Sequence, residues 1–458
     1  MSRMSYDEQS TDRSATGHIE YDPPRSRHFS GHSYSCWSLP CGELHDAIAP
    51  SNGTAVVARS SNGLGALNLR RSTFSLGLAL SLYLMRLNRA HAEDQVAYRY
   101  ENYQENDNRI GVVTHSGLFD KKITSWLTLK GQVVYDAVSG ATPTGAPPPN
   151  QIHFVPPGEG GPSGLDRFNP NVPLTYMDDV RWAGSADIAM TFGRHHITPQ
   201  FSYSHESDYI SKGGAITYSL DLNEKNTALN FGLSHNWDRL KGSFVRNWQD
   251  KQVNDVMVGV NQLLSPYSVL TVNFTYGYGD GYLADPYKGV LFENIPQFDP
   301  LSPALDPEVR PYTRNRYIPY VALTQFIKPL DGSIQASYRL FQDSWGITAN
   351  TIALTWYQKI GKHVVVAPEF RYYRQSAADF YGVSFPNYDT RPSYYSADYR
   401  LSEMQTFAGG VGIHVRLFDR VGLDASYKHY VMQGLDGVTS PSAYPTANVF
   451  TIGARVWF

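Results

Sequence analysis

From residue 93 to the end of the chain, apolar and polar side chains alternate one by one over segments of strand length. Ile334, Ala336, Tyr338 and Leu340 interleave with Ser333, Gln335, Ser337 and Arg339. Leu270, Val272, Phe274 and Tyr276 interleave with Thr271, Asn273, Thr275 and Gly277, and Leu229, Phe231 and Leu233 with Asn230, Gly232 and Ser234. A period of two means β-strands with one apolar and one polar face. About sixteen such segments can be counted, within a range of fourteen to eighteen. They lie near 95–103, 110–118, 124–137, 180–192, 197–208, 214–222, 227–237, 254–264, 268–278, 316–327, 333–342, 347–358, 363–374, 402–416, 421–431 and 447–458.

A soluble sandwich would alternate as well, so the connections decide. Short ones, such as 193–196, 223–226, 265–267, 360–362 and 419–420, take turns with long ones near 138–179, 238–253, 279–315, 375–401 and 432–446. Short turns at one end and long loops at the other mark a transmembrane antiparallel up-and-down barrel, all-β, with the long loops outside the cell. Strands of roughly 9–11 tilted residues match the bilayer. Closure is obligatory there, because lipid offers no partners for the backbone groups of a sheet edge. Composition agrees. Charged residues are 18% of the chain, against roughly 25% in a soluble domain, and aromatics are 13%, with 32 Tyr. Tyr276, Tyr278, Tyr372, Tyr427 and Trp356 fall near strand ends on the apolar face, where an interfacial girdle belongs. The net charge of -3 and the lack of a basic run argue against a nucleic-acid partner.

Arg70 and Arg71 precede the apolar run Phe74–Met85, which is followed by Ala90-His91-Ala92 and then Glu93-Asp94. Basic residues, a short apolar core and a small-x-small site describe a secretory signal peptide over 70–92, cut after Ala92. Residues 1–69, rich in Ser, Gly, Arg and His, show no periodicity and read as a disordered extension. Their position ahead of a leader predicts that translation starts later than Met1, within 56–69. The two cysteines, Cys36 and Cys41, fall in this part, so residues 93–458 contain no disulfide.

The last strand is the sharpest signal. Phe450, Ile452, Ala454, Val456 and the terminal Phe458 share a face opposite Thr451, Gly453, Arg455 and Trp457. A terminal aromatic with apolar residues at even spacings before it resembles the strand that the barrel-assembly machinery reads in bacterial outer-membrane barrels. Phe450, Ile452, Val456 and Phe458 are the assembly signal which that resemblance implies.

On the polar face stand Arg99, Glu101, Lys130, Asp136, Arg181, Asp187, Glu206, Asp221, Arg339, Glu369, Arg371, His414, Arg416, Asp424, Lys428 and Arg455. Both signs are present in near balance, which predicts a hydrated, mutually paired lumen wall. The wall could bias solutes by charge, with the 279–315 loop folding inward as a constriction. His205, His235 and Ser234 belong to no catalytic motif, so no enzyme activity is expected. Asp280 and Asp285 lack calcium-loop spacing and read as a turn, and no metal ligands are assigned.

One short motif stands above background. Asp136-Ala137-Val138-Ser139-Gly140-Ala141-Thr142 resembles the acceptor sequence to which periplasmic flavin transferases attach FMN by a phosphoester. The resemblance implies Thr142 as acceptor hydroxyl, with Asp136, Ser139, Gly140 and Ala141 shaping the acceptor segment. The topology puts Thr142 on the outer side, so modification would precede insertion. The stretch 93–113, the run 136–149 and the barrel-type C-terminus together resemble an uncharacterised family of proteobacterial outer-membrane barrels of unknown function, over essentially all of 93–458. That implies fold and location in the Gram-negative outer membrane, with lipid and the assembly machinery as partners. Three functions stay open: a channel for solutes, a flavin-bearing electron-transfer component served by a flavin transferase, and a structural or partner-binding barrel.

Overall fold

A computed structural model describes residues 94–107, 109–149, 171–295, 304–418 and 420–458; the signal peptide and the 1–69 segment expected from the sequence lie outside the described residues. Among these, strands β1 (Gln95–Glu105), β2 (Gly111–Lys122), β3 (Leu127–Pro143), β4 (Leu174–Phe192), β5 (His195–His205), β6 (Tyr209–Leu222), β7 (Thr227–Leu240), β8 (Gln249–Ser265) and β9 (Ser268–Gly281) come first. Two two-residue strands, β10 (Gly289–Val290) and β11 (Asp306–Pro307), lie in a connection. Then follow β12 (Thr313–Ile327), β13 (Gly332–Asp343), β14 (Thr348–Ile360), β15 (Val364–Gln375), β16 (Met404–Leu417), β17 (Val421–Gly434) and β18 (Thr446–Trp457). All except β10 and β11 close into one antiparallel barrel in which sequence neighbours pair and β1 pairs with β18.

The sixteen barrel strands coincide with the sixteen segments expected from alternation, and the apolar set faces outward as expected. Phe231, Leu233, Val256, Val258, Phe274, Ile352, Phe370, Phe450 and Ile452 are each more than two fifths exposed. In a bilayer these side chains meet lipid. Near the long-loop end, outward tyrosines donate to an amide on a neighbouring strand: Tyr276 to Asn315, Tyr338 to Asn350 and Tyr427 to Asn448, each at 2.7 Å, and Tyr372 to Gln405 at 3.3 Å. Apolar ring below and polar hydroxyl above is the arrangement an interface selects.

The seam depends on the last strand. Gln95 faces Trp457 in register, and Phe458 N–H donates to the Asp94 carbonyl at 3.0 Å. The Asp94 carboxylate accepts from the Lys122 N–H at 2.8 Å and pairs with Lys121, whose ammonium lies over the Phe458 ring. Val456 sits between Val96 and Val421.

Three expectations are corrected. Residues 238–240 and 249–253 are strand and not loop, since β7 and β8 pair as far as Leu240 and Gln249. Residues 138–143 and 174–179 are not loop: β3 and β4 pair through Pro143 and Leu174. The continuation escapes alternation because inward Val138 and Met177 are apolar and pack with Tyr103, Ile110 and Ala447. Asp285 is not part of a simple turn; it belongs to the loop assembly described next.

A charged lumen under a loop lid

The inward side chains pair as their register dictates. Asp136 faces Arg181 across β3 and β4 and accepts from its Nε at 2.6 Å. His414 faces Asp424 across β16 and β17, Nδ1 to Oδ1 2.6 Å. Asp187 lies opposite Lys130 and Gln200. Arg339 donates to Thr351 at 3.2 Å. Arg371 lies over the Tyr373 ring, and Arg416 and Arg455 over Trp457. These positions line the wall at several heights and converge on no single point.

Glycine lets charges meet two strands apart. Gly410 of β16 faces Glu369 on one side and Lys428 on the other, and these pair over it at 2.8 Å. A Cβ on Gly410 would lie 2.8 Å from Lys428 Cγ and 2.7 Å from the Tyr427 carbonyl oxygen. Gly277 of β9 separates Asp255 and Arg316 in the same way, and they pair at 3.0 Å. Gly453 stands between Asp424 and Arg99.

At the long-loop end the lumen meets a lid. Residues 282–295 and 304–312, between β9 and β12, leave the rim and reach β3: Gly289 N–H donates to the Thr144 carbonyl at 3.0 Å, and Lys288 Nζ to Thr142 Oγ1 at 3.3 Å and to the Pro143 carbonyl. Gly145 and Gly289 touch so closely that a Cβ on Gly145, at φ +98°, would lie 2.2 Å from the Gly289 oxygen. The same loop bonds to the loops after β5 and β7, Tyr287 to Asp208 and Phe244 N–H to the Pro286 carbonyl. It also pairs with the loop 376–403 after β15 through Val309 and Tyr395 and through Phe292 and Phe385. Val290, Phe292, Tyr395 and Ala397 form the apolar centre, the first two with no exposed surface.

An ionic clamp fastens these loops. Asp398, only 1% exposed, accepts from Arg400 Nε at 2.9 Å and Arg310 Nη2 at 2.8 Å. Arg400 also reaches Asp285 at 2.5 Å. Glu308 lies 2.7 Å from Arg310 Nε, without hydrogen-bond alignment, and accepts from Ser396 Oγ. Burial opposes the Asp398 charge, but the Arg400 guanidinium, with Arg310 and Lys288, holds its carboxyl well below the usual range. Burial pushes Glu308 up to about 7 despite Arg310. Burial lowers the Lys288 amine.

The acceptor-like motif is therefore part of a strand and of the lid contact. Asp136 is spent on Arg181, and Ser139 is exposed outward. Gly140 (φ +124°) lies so near Arg109 that a Cβ would sit 2.4 Å from its carbonyl oxygen, which gives the glycine a structural reason. Ala141 faces Tyr176, and Thr142 faces Thr175. Beside Pro143 lies a small cleft of about 30 Å³, lined in part by Tyr381 and Tyr399.

Sequence reasoning anticipated an inward-folding 279–315 loop but missed its clamp. A readable trace existed: Glu308-Val-Arg310 and Asp398-Tyr-Arg400 repeat an acid-x-Arg spacing inside two Tyr- and Pro-rich loops. Lys288 had no such trace, since its role appears only when β3 is brought to it.

No curated protein matches the chain in sequence. Among solved structures it is similar to the siderophore receptor PirA from Pseudomonas aeruginosa, at 11% identity and a TM-score of 0.38, over 80% of this chain and 62% of that one. It thus spans about three fifths of that receptor's length. It is also similar to a bacterial polysaccharide outer membrane secretin, at 8% identity and 0.43, over 81% and 100% of the two chains. A third similarity is to OmpT of Vibrio cholerae, at 11% identity and 0.31, over 81% and 100%. Residues 78–247 and 236–443 match the family described as protein of unknown function (DUF3570), and the chain belongs to that family.

Proposed function

We propose that this protein is an outer-membrane channel for small polar solutes, closed at its outer mouth by the lid of residues 282–295, 304–312 and 376–403. The observation that carries this reading is the combination of a wall bearing both charge signs with a separately clamped lid. Barrels of 16–18 strands leave room for an aqueous channel. In this reading the short turns and both strand termini face the periplasm, and the long loops face outward. A signal peptide over 70–92 exports the chain, and the barrel-assembly machinery inserts it by its last strand. Arg371, Arg416, Glu369 and Asp424 bias passing solutes by charge, and no catalytic step is assigned to the protein. Liposome swelling tests the reading: vesicles holding protein with the clamp broken by Asp398→Asn should swell in small neutral sugars faster than vesicles holding wild type. No swelling with either protein contradicts passage.

A second reading has one specific observation behind it. Lys288 places its Nζ 3.3 Å from the Thr142 hydroxyl, where the negative charge of a covalently attached FMN phosphate would favour the ammonium form. Thr142 and Lys288 fit the phosphate of such a group, which would supply one- or two-electron chemistry when bound; this chain's own part would be to hold that phosphate. In-gel flavin fluorescence of protein purified from its native host, lost on Thr142→Ala, supports attachment, and a dark wild-type band contradicts it.

A further inference from the structure

Around most of the long-loop rim, the outward positions beside the tyrosine row are uncharged amides: Gln104, Asn315, Gln342, Asn350, Gln405 and Asn448. Arg374, also outward, is paired with Glu403 at 3.1 Å. The sector formed by β6, β7 and β8 departs from this pattern. Lys212 of β6 is exposed and stands in register between Tyr203 of β5 and Trp237 of β7. Two residues above Trp237 on the same face is Arg239, 56% exposed. The loop after β7 adds Lys241 and the exposed Arg246, with the Trp248 ring 4.8 Å from Lys241 Nζ and 5.5 Å from the Arg239 guanidinium.

Opposing charge is sparse. Asp250, 78% exposed, pairs with Arg239 at 3.3 Å, whereas Lys212 and Arg246 have no ion-pair partner among the described residues. Below the four cations the same face is open and, apart from His235 hydrogen-bonded to Asn254 at 2.6 Å, apolar: Ile216, Phe231, Leu233, Trp237, Val256 and Val258 are each 44–54% exposed. A lysine within a lipid-facing row is tolerated only at the bilayer edge. Cations directly above such a face lie at the depth of lipid phosphates, which attract basic clusters.

We propose that this sector binds the phosphorylated headgroup of a membrane lipid. Lys212, Arg239, Lys241 and Arg246 would meet its phosphates, and the Phe231–Leu233–Trp237 row its acyl chains. Arginine brings a bidentate fork to phosphate, and lysine brings reach. Trp248 holds two of the cations over its ring, which limits the rotamer freedom lost on binding. The proposal rests on the barrel lying in a membrane with this row at its boundary, and the test separates the two.

The purified full chain in detergent is mixed with a diphosphorylated glycolipid (lipid A) or with its dephosphorylated form, and retention is read by native mass spectrometry. Wild type should retain the phosphorylated lipid and not the other. The variant Lys212→Gln/Arg239→Gln/Lys241→Gln/Arg246→Gln should lose affinity by roughly several hundredfold, since each of the four cations near a lipid surface contributes about a fivefold factor. Equal retention by variant and wild type, or displacement of the lipid by millimolar inorganic phosphate, overturns the proposal. Should the variant fail to fold, Lys212→Glu alone gives the same reading with a smaller loss. Insertion of wild type into vesicles is measured in parallel. Insertion without lipid retention overturns this site alone, and failure to insert overturns the membrane reading and the site with it.

Discussion

Lys288, in the loop after β9, donates to the hydroxyl of Thr142 on β3 at 3.3 Å, although five strands separate β9 from β3 around that side of the barrel. The bond closes a path across the mouth. From Val309 and Tyr395 the same assembly continues to the loop between β15 and β16. A barrel alone would leave the mouth open; these two loops bridge it.

The clamp at Asp398 should govern the lid without governing the barrel. Asp398→Ala would leave Arg310 and Arg400 buried without their shared carboxylate. Breaking a buried pair in this way costs about 3–5 kcal/mol. Amide hydrogen exchange should quicken across 282–295, 304–312 and 376–403, while the strands β13 and β14 keep their protection. Uniform loss of protection would mean that lid and barrel unfold as one.

Lid stability should fall as pH rises from about 5 to 8. Glu308 has a pKa near 7 in the folded lid because burial disfavours its charge, against an ordinary value of about 4.3. The closed lid therefore holds this proton more tightly than the open one. The resulting stability is complete below about pH 4.3 and is lost as pH rises through 7. Asp398 works in the opposite sense, but its depressed value places that loss in strong acid; the lowered Lys288 amine also opposes the trend, so the Glu308→Gln comparison isolates the Glu308 share. Exchange of lid amides at pH 5 and pH 8, corrected for the intrinsic rate, checks this. Glu308→Gln should flatten the difference.

Gly410→Ala should destabilise the barrel by about 1–3 kcal/mol, the usual cost of overpacking. The added methyl would press on the Tyr427 carbonyl and on the Lys428 stem. Heat-modified migration on gels should occur at a lower temperature in the variant. An unchanged midpoint would show that the Glu369–Lys428 pair yields freely.

Much of this was legible in the sequence, and the reason is physical. A bilayer forces every strand to declare its two faces, so Phe231, Leu233 and Trp237 could be set against Asn230 and Gly232 before any pairing was known. The terminal Phe458 placed the closing strand. Register then turned separate charges into partners: Asp136 with Arg181, and His414 with Asp424. Alternation failed where the environment changes, at Val138 and Met177, because the upper lumen beneath the lid is packed rather than wet. The same failure affected β12, whose inward Ile318 and Ala322 are buried and whose Pro319 cannot donate to the ladder. The clamp was illegible because its members are joined only by loops, whose paths no period encodes.

The lumen charges should tune selectivity. Replacing Arg371 and Arg416 by Ala removes two positive groups from the wall, so permeability should shift toward cations. Reversal potentials under a salt gradient, measured with the lid released, would report it. No shift would assign those arginines to Tyr373 and Trp457 alone, as wall packing.

The central claim is a conducting lumen closed by a lid, and single-channel recording in planar bilayers tests it most directly. A variant in which residues 286–309 and 378–401 are each replaced by a short Gly-Ser linker should conduct steadily and ohmically, whereas wild type should be closed with brief openings. If the lid-deleted barrel inserts, shown by heat-modified migration, and still passes no current, the account is wrong.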